Sequence, residues 1–184
     1  MKKIIITGGP HTGKTTLLNT LKAKHQNCTY IAEAATLVIE AEHQRVQSED
    51  GYIGTFPWNN YSAFGPKVIA KSLELEGGLN SKSSLVILDR SLIDTIAYAR
   101  LNHCEHLLDG LYDEIKKAQY HKAFFCDFVG SYESNHIRSE SFEEAQMTQK
   151  ALKTAYLESG IQVIDMPAVP VEERILILEE ALDF

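Results

Sequence analysis

The chain has 184 residues, of which 44% are hydrophobic and 23% are charged, as is ordinary for a globular domain. This length predicts one domain with a core that needs no disulfide or structural metal. The formal net charge of −7 argues against DNA or RNA as a bulk ligand. The three cysteines are far apart, so we expect neither a disulfide framework nor a zinc site, and a reducing cytoplasm as the location. We also expect no signal peptide, because the sequence goes straight into the first predicted strand, and no membrane span, because no apolar run is long enough to cross a bilayer.

A glycine-rich motif lies near the start of the chain. The apolar residues 4–6 predict a buried strand, and residues 8–15 then fit the pattern G-x-x-x-x-G-K-[ST]. From Thr16 onward the sequence turns helical, which completes the strand, loop and helix that a phosphate-binding loop requires. Its glycines let backbone N–H groups converge on phosphate oxygens, and the helix adds its positive N-terminal dipole. The alternative is a glycine-rich turn that only connects a strand to a helix.

The motif assigns roles to individual residues. Lys14 is expected to reach the β- and γ-phosphates of ATP, and the Thr15 hydroxyl is expected to ligate Mg²⁺. The rest of the loop is expected to surround the phosphates, and it consists of Gly8, Gly9, Pro10, His11, Thr12, Gly13 and Thr16.

Strands alternate with helices through the rest of the chain. Further strands are predicted at residues 28–32, 85–88, 123–126 and 161–164, and helices at 16–24, 34–47, 61–76, 92–101, 107–117, 142–158 and 171–182. The alternation predicts an α/β fold with a parallel five-stranded sheet, doubly wound with helices on both faces, and ligands at the carboxyl ends of the strands. We see no second domain in residues 1–184, and we interpret the polar residues 129–141 as a lid.

Three charged residues follow predicted strands and should therefore meet at one edge of the sheet. Asp89 ends the most apolar strand and is expected to hold Mg²⁺, directly or through water; alternatively it caps a helix or forms a salt bridge. Arg90 can clamp an anionic group, or it can pair with a nearby carboxylate such as Asp94. Glu33 can accept the proton of a substrate hydroxyl during phosphoryl transfer. Alternatively, it is simply a carboxylate at a helix start that the helix dipole stabilises.

Loops supply the remaining candidates. Arg138 is the only Arg in the polar stretch and can neutralise charge on the γ-phosphate, unless it is a solvated loop residue. Trp58 belongs to an aromatic loop that can stack on a planar substrate, or that covers one end of the core. After the last strand, the backbone of Pro167, Ala168 and Val169 offers a place for an adenine.

These motifs together resemble a family of small P-loop proteins described as AAA-domain proteins or ATPases and kinases of NAD metabolism. That family is related to the kinase half of NadR-type nicotinamide riboside kinases. The resemblance covers nearly the whole chain and rests on an ordered set of segments, namely residues 4–16, 31–35, 88–98, 137–145 and 156–160 and the loop at Pro167. One departure is the single lid arginine, because many such kinases have two or more.

The resemblance implies a P-loop kinase-like fold with ATP and Mg²⁺ as cofactors. It implies that Arg90 contacts the acceptor side and that Glu33 is the catalytic base. The glycine-loop motif and the polar stretch add Lys14 and Arg138 to the expected catalytic residues. The implied acceptor is a small nucleoside-like molecule, and the residues expected to bind it are Glu33, Trp58, Arg90 and Asp94.

Other classes of P-loop protein remain as alternatives. A nucleotide-dependent switch, ATPase or GTPase, would bind a partner rather than phosphorylate a metabolite. Residues 127–130 do fit the D-x-x-G of GTPases, but no Asn-Lys-x-Asp guanine reader is present in the sequence, which favours ATP. A ring-forming ATPase would have a second acidic residue directly after Asp89, where Arg90 stands. We therefore expect a Mg-ATP-dependent phosphotransferase.

Overall fold

The structure is a computed structural model and describes residues 1–79, 84–129 and 141–182. Strands and helices alternate through these residues. The strands are β1 (Lys2–Thr7), β2 (Thr29–Ile31), β3 (Leu85–Asp89), β4 (Lys122–Cys126) and β5 (Gln162–Met166). The helices are α1 (Lys14–Lys24), α2 (Ala34–Ser48), α3 (Tyr61–Gly77), α4 (Leu92–Leu101), α5 (Leu111–Ala118), α6 (Phe142–Glu158) and α7 (Val171–Leu182).

The five strands form one parallel sheet in the order β2-β3-β1-β4-β5. Ile6 of β1 pairs with Asp89 of β3, which places the end of β3 beside the start of the glycine loop. The helices that follow β1 and β3 cover opposite faces of the sheet. A crevice therefore opens between the carboxyl ends of these two neighbouring strands, where open α/β sheets bind their ligands.

Two apolar clusters cover the two faces of the sheet. Ile4 and Ile6 pack with α1 and α7, whereas Ile5 packs on the other face with α4 and α6. Because successive side chains of a strand point to opposite faces, β1 is buried on both sides, which is why its sequence is a continuous apolar run. The predicted α/β fold with helices on both faces is confirmed.

Several predicted boundaries are wrong. The helix predicted at residues 107–117 is divided into a 3-10 helix, Glu105–Leu108, and α5, because Gly110 adopts a left-handed conformation with φ 78° between them. Cys28, which begins the strand predicted at residues 28–32, precedes β2 and is only half-buried. Helix α1 begins at Lys14 rather than Thr16, directly after the left-handed Gly13.

The predicted lid, residues 129–141, lies almost wholly outside the described residues, and so does Arg138. Among the residues that the structure describes, none of the helices combines the length and the apolar character needed to cross a bilayer.

Candidate active site

The glycine loop passes close to the end of β4. Gly8 has a φ of 141°, and a Cβ there would lie 2.6 Å from the carbonyl oxygen of Cys126, so only glycine fits. The Thr12 hydroxyl donates to the Gly9 carbonyl oxygen at 2.8 Å, which closes the loop on itself. The Lys14 ammonium donates to the same carbonyl oxygen at 3.4 Å, and it is therefore folded back over the loop.

Two side chains that the sequence analysis missed hold this loop from outside. Arg174 of α7 is 2% exposed, and its guanidinium donates to the carbonyl oxygens of Thr12 at 2.6 Å, Pro167 at 2.7 Å and Asp127 at 3.0 Å. Gln149 of α6 accepts from the Gly9 N–H and donates to the Cys126 carbonyl oxygen. The sequence offers one signal for Arg174, which is a charged residue directly before the apolar run of α7.

A charged cluster lies at the carboxyl ends of β2 and β3. The Nε atom of Arg90 lies 2.7 Å from Oε1 of Glu33, an ion pair without hydrogen-bond alignment, and Nη1 donates to Asp94 at 2.8 Å. Arg90 also has a φ of 65°, which is uncommon for a residue with a side chain and typical of functional positions. The structure thus brings Glu33, Arg90 and Asp94 together, and the guanidinium lies between the two carboxylates.

Burial and neighbouring charges change the acidity of two groups near this cluster. Burial, with the nearby Arg90 charge, lowers the pKa of Lys14 to about 8. Burial, with the Glu33 charge, raises the pKa of Asp89 to about 6. Within the described residues, Oδ1 of Asp89 is buried and has no hydrogen-bond partner. Such an oxygen is suited to accept from a metal-held water or to bind a cation, so this site fits Mg²⁺.

Asp94 is the centre of a buried hydrogen-bond network. Its carboxylate accepts from the Thr7 hydroxyl at 2.7 Å, from the Ser91 N–H at 2.9 Å and from the Tyr156 hydroxyl. Asp94 and Ser91 form a capping box at the start of α4. The network fixes the position of Asp94, and through Asp94 it fixes Arg90.

A cavity of about 320 Å³ opens beside the charged cluster, between β3 and helices α2, α3 and α4. Its walls are mainly apolar and aromatic, as in most small-molecule sites. All four residues expected to bind the acceptor line it, together with Asp89; the four are Glu33, Trp58, Arg90 and Asp94.

Aromatic side chains of the Trp58 loop and of the start of α3 lie partly in the core and partly at the cavity. Tyr61 and Phe64 are buried and also line the cavity, whereas Trp58 is 68% exposed and stacks on Phe56 at a ring separation of 4.9 Å. Pro167, Ala168 and Val169 are not among the residues that line this cavity. They follow β5 on the Arg174 side of the glycine loop, where Pro167 accepts from that guanidinium.

Glu42 anchors the loop that carries Trp58. Its buried carboxylate accepts from the Tyr52 hydroxyl at 2.6 Å, the Thr55 N–H at 2.7 Å and the Lys67 ammonium at 2.7 Å. Burial alone would raise the pKa of Glu42, but these three donors outweigh it and lower the pKa to about 2.

A five-stranded parallel sheet with a glycine loop after β1 and Asp-Arg at the end of the neighbouring β3 defines a P-loop protein with a kinase-like fold. A family model described as "AAA domain" matches residues 3–174, and the chain belongs to that family. No curated protein matches the chain.

Solved structures share the fold. Thymidylate kinase from Ehrlichia chaffeensis is 17% identical with a TM-score of 0.66, over 100% of this chain and 98% of that one. The NadR protein in complex with NR is 19% identical with a TM-score of 0.65, over 90% of this chain. This chain spans only 43% of that NadR chain. Thymidylate kinase from Candida albicans is 17% identical with a TM-score of 0.62, over 99% of this chain and 91% of that one. At such identities the likeness concerns the fold alone, and it confirms the kinase-like P-loop architecture.

Proposed function

We propose that this protein is a Mg²⁺- and ATP-dependent kinase that transfers the γ-phosphoryl group to a hydroxyl of a small nucleoside-like acceptor. The observation that carries the proposal is the cavity beside the glycine loop, because Glu33, Asp89 and Arg90 line the part of it that lies at the carboxyl ends of the strands. The phosphate side and the acceptor side thus meet at one charged cluster, as phosphoryl transfer requires. The proposal includes a cytoplasmic location and excludes nucleic acid as a ligand, which the net charge of −7 supports.

Under this proposal the glycine loop, residues 8–16, surrounds the triphosphate of ATP, and Lys14 supplies positive charge at the β- and γ-phosphates. The backbone of Pro167, Ala168 and Val169 receives the adenine. Thr15 and Asp89 hold Mg²⁺, which when bound neutralises charge on the phosphate oxygens. A site with one hydroxyl, one carboxylate and substrate phosphates is the type of site that Mg²⁺ favours.

Glu33 is the proposed base. The acceptor oxygen forms a bond to the γ-phosphorus, the bond from that phosphorus to the bridging oxygen breaks, and ADP leaves with the bridging oxygen. The proton of the acceptor hydroxyl passes to the Glu33 carboxylate. The Thr36 hydroxyl donates to the second oxygen of Glu33 at 2.9 Å, and Arg90 lies beside the first, so the carboxylate is oriented before the acceptor binds. Arg90, together with Arg138 from the polar stretch, stabilises the charge that develops in the transition state.

The test is an ADP-release assay with ATP, Mg²⁺ and a panel of nucleosides. We expect ADP to form only when a nucleoside is present. Lys14→Ala should lose affinity for ATP, whereas Glu33→Gln should still bind ATP and lose transfer. Glu40→Gln is the matched control, since Glu40 is an exposed carboxylate on the same helix, α2.

Two outcomes would contradict the proposal. If Glu33→Gln transfers phosphate at the wild-type rate, Glu33 is not the base. If ATP or GTP binds but no nucleoside of the panel induces turnover, the protein is better explained as a nucleotide-dependent switch that binds a partner.

A further inference from the structure

The cavity extends well beyond the charged cluster. The residues of α3 that line it include Tyr61, Phe64, Val68, Ser72 and Glu76, which recur every three or four positions and so form one face of the helix. The first and the last lie fifteen positions apart along the helix, a rise of about 22 Å. The cavity is therefore a channel that follows α3 from the carboxyl edge of the sheet toward its amino edge.

Glu76 forms the far end of this channel. Its Oε2 atom accepts from the Lys3 ammonium at 2.7 Å, and its Oε1 atom accepts from the Tyr120 hydroxyl at 2.6 Å. Lys3 lies near the start of β1, three residues before the partner of Asp89, and the ion pair ties Glu76 to that part of the sheet. The Tyr120 hydroxyl also accepts from the Leu92 N–H at 3.4 Å, so one hydroxyl joins the Glu76 carboxylate to the start of α4.

The Glu76 carboxylate has capacity for another donor. Each carboxylate oxygen can accept two hydrogen bonds, and each oxygen of Glu76 accepts one from the partners named above. Its side chain is 8% exposed, and it contributes a charged acceptor to a channel with mainly apolar walls. Because the carboxylate is largely shielded from bulk water, a hydrogen bond from a donor that enters the channel is stronger than it would be at the surface.

The charges of the channel also favour a donor over an anion. The acidic residues that line it are Glu33, Glu76, Asp89 and Asp94, and the one basic residue among the described lining residues is Arg90. Arg90 is already paired with Glu33 and Asp94. A negatively charged group deep in this channel would therefore face carboxylates, whereas an N–H group would find acceptors.

We infer that Glu76 is a specificity-determining residue that accepts a hydrogen bond from an amino or amide N–H on the far edge of the acceptor's ring. This inference rests on the proposed function, because it takes the acceptor hydroxyl to lie at Glu33. It names the class of acceptor more closely: an unphosphorylated nucleoside whose base carries an exocyclic N–H donor.

Two pairs of probes test the inference, adenosine with purine riboside and cytidine with pyrimidin-2-one riboside. The members of each pair differ only in one exocyclic amino group. For wild-type protein we expect the amino member of at least one pair to bind about ten- to hundred-fold more tightly by calorimetry, the range for a hydrogen bond to a charged acceptor. ADP release is measured with the same probes.

Three variants separate recognition from stability. In Glu76→Gln the preference for the amino member should fall several-fold or more, since the charged acceptor is lost. Tyr120→Phe removes one donor to Glu76 but leaves the carboxylate in the channel, so it should lower thermal stability and retain the preference. Glu74→Gln, on an exposed position of the same helix, should change neither.

The possible negative results of these experiments lead to different conclusions. If nucleosides are phosphorylated but wild-type protein does not distinguish the members of either pair, Glu76 is not a specificity determinant and the proposed function stands. The same holds if Glu76→Gln keeps the full preference and only melts earlier. If none of the probes binds and none stimulates ADP release, the proposed function fails together with the inference.

Discussion

Replacement of Arg174 by alanine should destabilise the protein by about 3–5 kcal/mol. Arg174 is 2% exposed, and its guanidinium donates to three backbone carbonyls, at 2.6 Å, 2.7 Å and 3.0 Å. A hydrogen bond from a charged donor contributes about 1.5 kcal/mol or more, and the lost side chain also leaves a space in a packed region. The three carbonyls belong to Thr12, Asp127 and Pro167, so the glycine loop and the loops after β4 and β5 would all lose their common support.

Urea unfolding followed by circular dichroism measures the free energy of unfolding. The matched control is Arg100→Ala, which removes a surface ion pair with Glu158 at 2.7 Å and should cost less than about 1 kcal/mol. Arg174→Lys, which keeps the charge but cannot span three acceptors, should fall between alanine and wild type and should bind ATP more weakly while still folded. If Arg174→Ala costs no more than Arg100→Ala, the three hydrogen bonds contribute little and this reasoning is refuted.

Three further predictions concern other parts of the site. Gly8→Ala should prevent ATP binding and lower the melting temperature, since its Cβ would meet the Cys126 carbonyl oxygen at 2.6 Å; normal calorimetric binding would contradict this. The pKa of Glu42 is lowered to about 2, so its carboxylate adds stability above its ordinary pKa of 4.5 that is lost as pH falls toward 2. Wild-type protein should therefore lose about 3 kcal/mol more than Glu42→Gln between about pH 5 and pH 2, and parallel pH profiles would refute this. Trp58→Ala should raise KM for the acceptor and leave KM for ATP unchanged, because Trp58 lines the acceptor cavity and is 68% exposed. Equal effects on both KM values would argue against a role of Trp58 in binding the acceptor.

The parts of the site that depend on local sequence could be predicted. The glycine loop is contained in one short segment, where glycine spacing and the flanking strand and helix specify the backbone together. Asp89 could be placed at the same edge of the sheet because it ends an apolar strand, and the register with Ile6 confirms that position. The capping box at Ser91 is likewise local, and α4 has the predicted bounds.

The parts that depend on tertiary packing could not be predicted. Arg174 lies 162 residues from the carbonyl of Thr12 that it binds, and Gln149 lies 140 residues from Gly9, so no spacing in the sequence relates them. Glu76 looks like an ordinary polar residue near a helix end, and only the packing of α3 against α2 and α4 shows that it lines a channel. For Arg90 the sequence left two interpretations open, and the structure shows it paired with two carboxylates rather than one.

The two halves of the crevice are supported by different parts of the chain. The glycine loop is held by α6 and α7 through Gln149 and Arg174, whereas the channel is formed by α2, α3, α4 and the sheet. Substitutions on the channel face of α3 can thus alter which molecule is accepted while the loop on the opposite side keeps its shape. Under the proposed function, homologous chains could change their acceptor by exchanging residues of α3 alone. The glycine loop that binds ATP would then stay the same.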